Sequence, residues 1–148
     1  ILTEYLYSYV GLADLPDGVS ARHVGGGADD LAAHMAQAPR DAFHLVLTYS
    51  HALDLDLCHR LLAHGFAYAG LIGSATKWAR FRSRLTGLGH GAAQIGAITC
   101  PIGDPALGKA PQAIAVGVAT ALVKEDRACA KAGAPPNNKN GDGYAAAG

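Results

Sequence analysis

Apolar and polar residues alternate along the chain in blocks that change period. Phe43 to Thr48 is a near-continuous apolar run bounded by turn residues, the pattern of a strand buried on both faces. Leu53 to His64 then carries Leu53, Leu57, Cys58, Leu61 and Leu62 on one helical face, with Gly65 placed to end the helix. Ala67 to Ile72 is a second apolar run. Ser74 stands where a cap for a helix over Ala75 to about Leu88 is needed, with Trp78, Phe81 and Leu85 spaced to pack on a sheet.

The flanking segments continue the alternation. Ile1 to Ala13 is rich in Tyr and aliphatic residues and reads as a strand, and Ser20 to Val24 as a short one. Between them Leu15-Pro16-Asp17-Gly18 is a turn, because Pro presets φ and Gly tolerates the left-handed region. Ala28 to Ala38 reads as a helix with Asp29 and Asp30 at its positive end, stopped by Pro39. Gln94 to Cys100 reads as a short strand and Pro101 to Pro111 as a loop. Pro111 suits the first turn of a helix reaching Lys124, apolar on nearly every side and so expected to be buried. From Arg127 the composition turns to Ala, Gly, Pro and Asn, the pattern of a disordered tail. The predicted fold is α/β, a three-layer Rossmann-like parallel sheet with helices on both faces, over residues 1–126, with a tail over 127–148.

Composition narrows the function class. Of 148 residues 50% are hydrophobic and 16% charged, which fits a globular domain rather than a disordered chain. The formal net charge of +0 gives no global pull toward nucleic acid or an anionic membrane, so any electrostatic role must be local. The 3 cysteines, Cys58, Cys100 and Cys129, form no CxxC pair and no disulfide framework, which fits a reducing cytoplasm. No run reaches the roughly 18 apolar residues that span a bilayer. The chain opens on Ile1 without a signal segment, as a fragment would.

Three constellations can carry chemistry, all at carboxyl ends of strands, where open α/β sheets bind ligands. Thr48-Tyr49-Ser50-His51 with Asp54 and Asp56 offers a His and carboxylates for acid–base work; the plainer reading makes Ser50 or Asp54 a helix cap and His51 a solvated residue. The His51–Asp54 spacing matches no metal motif. Gly70 to Ser74 leads into Lys77, Arg80 and Arg84, three cations on one helical face. With the N–H groups at Ser74 and Ala75 this forms a phosphate cradle, or an amphipathic helix with a solvated basic side. Cys100-Pro101-Ile102-Gly103-Asp104-Pro105, followed by Lys109, is a loop on the same rim, either ligand-facing or a rigid turn. Cys100 is a nucleophile or sulfur carrier only if some base reaches it, since buried cysteines are ordinarily inert. The dinucleotide fingerprint G-x-G-x-x-G is absent; Gly25-Gly26-Gly27 does not match it, which counts against an NAD(P)-dependent oxidoreductase.

Taken in order, LTYSHALDLDLCHRLL, FAYAGLIGSATKWARFRSRL, and TCPIG with KAPQAIAV resemble the C-terminal Rossmann-like domain of XdhC/CoxI proteins, accessory factors of xanthine dehydrogenase and related molybdenum hydroxylases. LADLPDGVSARHV resembles the segment after that domain's second strand, so the resemblance runs from about Leu12 to Lys124. It implies a chaperone, not an enzyme, that binds molybdenum cofactor (molybdopterin), promotes its sulfuration and delivers it. The implied partners are the molybdenum subunit of xanthine dehydrogenase and a cysteine desulfurase, in the cytoplasm, with no nucleic acid and no membrane; a homo-oligomer is allowed for. Carried over by motif, the cofactor-binding residues are Ser50, His51, Asp54, Gly73, Ser74, Lys77, Arg80, Pro101 and Gly103. We assign the Ser74 N–H groups, Lys77 and Arg80 to the cofactor phosphate on the charge argument above. Tyr49 stands where the family usually has His, and Asp104 to Gly108 departs from the usual apolar loop. The family's Gly-rich first βα turn and separate cysteine-bearing N-terminal domain have no counterpart, which implies a truncated copy whose first βα unit is missing.

Overall fold

The computed structural model describes residues 17–18 and 28–131. The strands expected over Ile1–Ala13 and Ser20–Val24 lie outside them, as does the tail beyond residue 131. Asp17 and Gly18 form the expected turn, with Gly18 at φ 81°.

Three strands, β1 (Phe43–Val46), β2 (Tyr68–Leu71) and β3 (Ile98–Thr99), form a parallel sheet in the order β1-β2-β3. Phe43 pairs with Tyr68 and Val46 with Leu71, then Ala69 pairs with Ile98 and Gly70 with Thr99. Parallel strands require crossovers, and helices supply them: α1 (Ala28–Met35) precedes β1, α2 (His51–His64) joins β1 to β2, and α3 (Ala75–Gly87) with α4 (Ala92–Gly96) joins β2 to β3. After a 3-10 turn over Pro105–Leu107, α5 (Pro111–Lys131) follows.

Side-chain alternation divides the sheet's two faces. Val46, Ala69, Leu71 and Ile98 point to one side and pack with Leu57, Cys58, Leu61, Phe81, Leu85 and Ile95, the inner surfaces of α2, α3 and α4. Tyr68, Ile102 and Val118 form a smaller core on the other side, flanked by Phe43, Leu45, Ile114 and Leu122. That is the three-layer α/β architecture expected. Gly70 is the place on the second face where Ile102 packs down on the strand: a Cβ there would force the Ile102 side-chain end to shift.

The helix ends follow their local chemistry. Ser50 Oγ accepts from Leu53 N–H and caps α2, which therefore begins at His51 and not at Leu53. Gly65, at φ 93°, closes it with an N–H to Leu61 O. Ser74 Oγ caps α3 through Lys77 N–H. Arg60 reaches Asp56 at 2.8 Å and Asp29 at 3.2 Å, which ties α2 to the start of α1.

Three expectations fail. Ala92–Gly96 is a helix, and only Ile98 and Thr99 of the expected strand are extended. The reason is a turn at the start: Gly91 N–H donates to Gln94 Oε1 at 3.0 Å, and Ile95 N–H to Gly91 O. Helix α5 is apolar but not enclosed. Gly117 and Val118 are buried, whereas Val116 and Val123 are 58% and 52% exposed. It covers the second face alone among the described residues, so one stripe is buried and the rest faces outward. It also runs to Lys131, past the composition change at Arg127.

Candidate functional site at the strand ends

Because the sheet is parallel, β1, β2 and β3 all deliver their carboxyl ends to one rim, and α2 and α3 start there. Thr48 leaves β1 and turns its hydroxyl inward: Oγ1 accepts from Ser50 N–H at 3.1 Å and donates to Asp54 Oδ1 at 2.6 Å. Thr48 N–H donates to the same oxygen at 3.2 Å. Asp54, in the first turn of α2, is fully buried. A carboxylate in such a place must be paired and hydrogen-bonded.

Its partner comes from the next helix. Lys77 Nζ donates to Asp54 Oδ2 at 2.5 Å and to Ile72 O, just past β2, at 2.8 Å. The side chain is only 10% exposed. Gly73 makes this route passable, since a Cβ there would stand 2.7 Å from Lys77 Cδ. The ammonium also lies 5.4 Å from the centre of the Phe81 ring, within cation–π range. His51 sits edge-on to that ring, with centroids 6.5 Å apart. One lysine thus joins the first turn of α3, the first turn of α2 and the end of β2.

The residues singled out in the sequence therefore divide. Ser50, His51, Asp54, Gly73, Ser74 and Lys77 converge. Lys77, assigned above to the cofactor phosphate, does not present a free cation; it turns inward and is neutralised by Asp54. Arg80 and Arg84 remain exposed on the outer side of α3. Pro101 is exposed beside the rim, in a loop held to the sheet by Ile102 N–H on Leu71 O at 3.1 Å. Gly103 faces away: at φ 91°, its missing side chain would meet the backbone of α5 at Val118 N, 3.5 Å away. Its backbone conformation is what calls for glycine there. Thr48 belongs to the first constellation but not to the cofactor-binding set, and Phe81 to neither. Phe81 carried only a packing signal, and nothing about a Thr at a strand end reveals that a carboxylate six positions on will bond to it.

The electrostatics come from backbone as much as from side chains. Asp54 and Lys77 cancel. The N–H groups of His51 and Ala52 at α2, and of Ala75 and Thr76 at α3, have no hydrogen bond among the described residues. Each helix start carries roughly half a positive charge. These starts make the rim favour an anion, with exposed His51 at the first position of α2. Cys100, at the end of β3, is half-buried, and burial raises its thiol pKa while the Lys77 ammonium opposes that. Burial likewise pushes Cys58 up to about 12, with the Asp54 carboxylate adding to it. Both thiols are held protonated, which does not suit a nucleophile. No group of three or more His, Cys, Asp or Glu among the described residues could hold a metal ion, and no described helix is long and apolar enough to cross a membrane.

The sequence model of the XdhC Rossmann domain matches residues 14–122. No curated protein matches the chain.

Proposed function

The chain belongs to the XdhC Rossmann-domain family, and from that premise we propose that it binds molybdenum cofactor as cargo at the rim and assists its sulfuration and insertion into xanthine dehydrogenase. It is a member of a family of xanthine dehydrogenase accessory proteins, and the rim carries no activated nucleophile. The observation that supports the reading is the pair of capped helix starts. Two helix N-termini that follow adjacent strands, joined by Asp54–Lys77, leave four N–H groups unengaged among the described residues, with His51 exposed at the start of α2. The phosphate of a pterin cofactor is the group such a pair would hold. Ser50 and Ser74 cap the helices and keep those amides aimed; Asp54, Gly73 and Lys77 fix their spacing rather than touch the ligand. Pro101 borders the rim on the β3 side. The delivered cofactor passes to the molybdenum subunit of the dehydrogenase in the cytoplasm, with a cysteine desulfurase supplying sulfur.

The test is anaerobic titration of the full chain with molybdenum cofactor, followed by gel filtration and cofactor quantification. Retention near one cofactor per chain is expected. Ala75→Asp places a negative charge where it stabilises the helix but opposes an anion, so it should lower retention without lowering stability. Failure of the unaltered chain to retain cofactor overturns the reading.

A further inference from the structure

Away from the rim, two imidazoles meet. His59 lies in the middle of α2, and His90 follows α3 in the turn toward α4. His59 Nδ1 and His90 Nε2 are 2.6 Å apart, with ring centroids 4.8 Å apart and planes at 66°. Both residues are half-buried. Each is held by its backbone: His59 by the helix, His90 by its N–H on Leu85 O at 3.1 Å.

Two neutral imidazoles at this distance share one proton, so a nitrogen on each ring aims at the same point. We propose that His59 and His90 form a two-imidazole site for a divalent first-row transition ion of the zinc or copper(II) class, with water completing its shell. Imidazole nitrogen suits these ions. Two nitrogens each about 2.0–2.1 Å from one ion stand about 2.9 Å apart at a right angle and about 3.4 Å apart in a tetrahedron, so from 2.6 Å the rings must turn and part by about 0.3–0.8 Å. The shared proton moves to the outer nitrogen of the ring that held it. Since no larger ligand group exists among the described residues, water fills the remaining positions and the ion stays exchangeable. The site is about 12 Å along α2 from His51, and its chemistry does not depend on what the rim binds.

The experiment uses the full chain. Zinc chloride and copper(II) chloride are titrated by calorimetry at neutral pH against the unaltered chain and the variants H59Q, H90Q and H34Q, each checked for folding by circular dichroism. Ring resonances of the histidines are followed by NMR with zinc. One ion per chain is expected, with shifts at His59 and His90, affinity at least about tenfold weaker in either variant, and no change in H34Q. The proposal is overturned if the unaltered chain takes up no ion, if H59Q and H90Q bind as it does, or if the two rings do not shift. Uptake at the cysteines would appear as the second of these outcomes, with sulfur-to-copper charge-transfer absorption retained in both variants.

Discussion

Asp54 and Lys77 meet at 2.5 Å in the interior, each in the first turn of its own helix, so two successive crossovers of the sheet are fastened at their starting points. The carboxylate is fully buried and also receives both donors of Thr48. A pair of this kind costs far more to break than to replace.

Lys77→Met leaves the Asp54 charge buried with only Thr48 for company, and should destabilise the chain by about 3–5 kcal/mol. Asp54→Leu should cost a similar amount. The double variant should lose far less than the sum, because no uncompensated charge remains. Urea denaturation of all four proteins measures the coupling, and simple additivity would show that the pair does not form.

Gly73→Ala should act through Lys77. The added Cβ would stand 2.7 Å from Lys77 Cδ, in the middle of a side chain pinned at its far end by Asp54 and Ile72 O. A loss of about 1–3 kcal/mol is expected. In the Lys77→Met background, where the chain end is free to move, most of that loss should vanish. An undiminished loss in that background would mean that Gly73 serves backbone conformation instead.

Gly117 is the close approach between α5 and the loop after β3. A Cβ there would lie 2.7 Å from Asp104 N, a backbone atom that cannot step aside. Gly117→Val should cost about 1–3 kcal/mol or more, despite its better helix propensity. Gly96, at the end of α4, has nothing within 4 Å of a Cβ, so Gly96→Ala should be neutral or stabilising by up to about 1 kcal/mol. Thermal melts of the two variants check both signs.

His44 gives stability a pH dependence. It is buried on the α1–α2 side of β1, its Nε2 finds no partner among the described residues, and burial lowers its pKa from the ordinary 6.5, with His64 adding to the effect. The unfolded chain therefore binds the proton more readily. This contribution is fully present above pH 6.5 and is lost as pH falls from there toward the folded-state pKa, with a slope of at most ~1.4 kcal/mol per pH unit. His44→Leu should flatten the dependence of stability on pH just below 6.5. Parallel curves for the two proteins would assign that dependence to other groups.

What the sequence made legible was set by local chemistry. The strands at Phe43 and Tyr68, the cap at Ser74, the stop at Gly65 and the inward face of Trp78, Phe81 and Leu85 all follow from period and capping, and all stand in the structure. Two features were decided by partners distant in the chain. Lys77 has the spacing of a solvated basic stripe with Arg80 and Arg84, and only the burial of Asp54, 23 positions earlier, turns it inward. Helix α5 has the composition of an enclosed helix, but how much of it is covered depends on how many layers stand outside it. The short helix at Ala92–Gly96 was hidden because its five residues carry no full period and its start is fixed by one Gln94 side-chain bond.

Among the described residues the amides at His51, Ala52, Ala75 and Thr76 are unengaged, and this sets how the rim would respond to pH in attracting an anion. Backbone N–H groups do not titrate and cannot be neutralised by a counter-charge within the site, since Asp54 is already taken by Lys77. The attraction they exert on an anion is therefore the same in mild acid and mild alkali. A pH change would alter the protonation of a bound anion itself, while the receptor that faces it keeps its polarity.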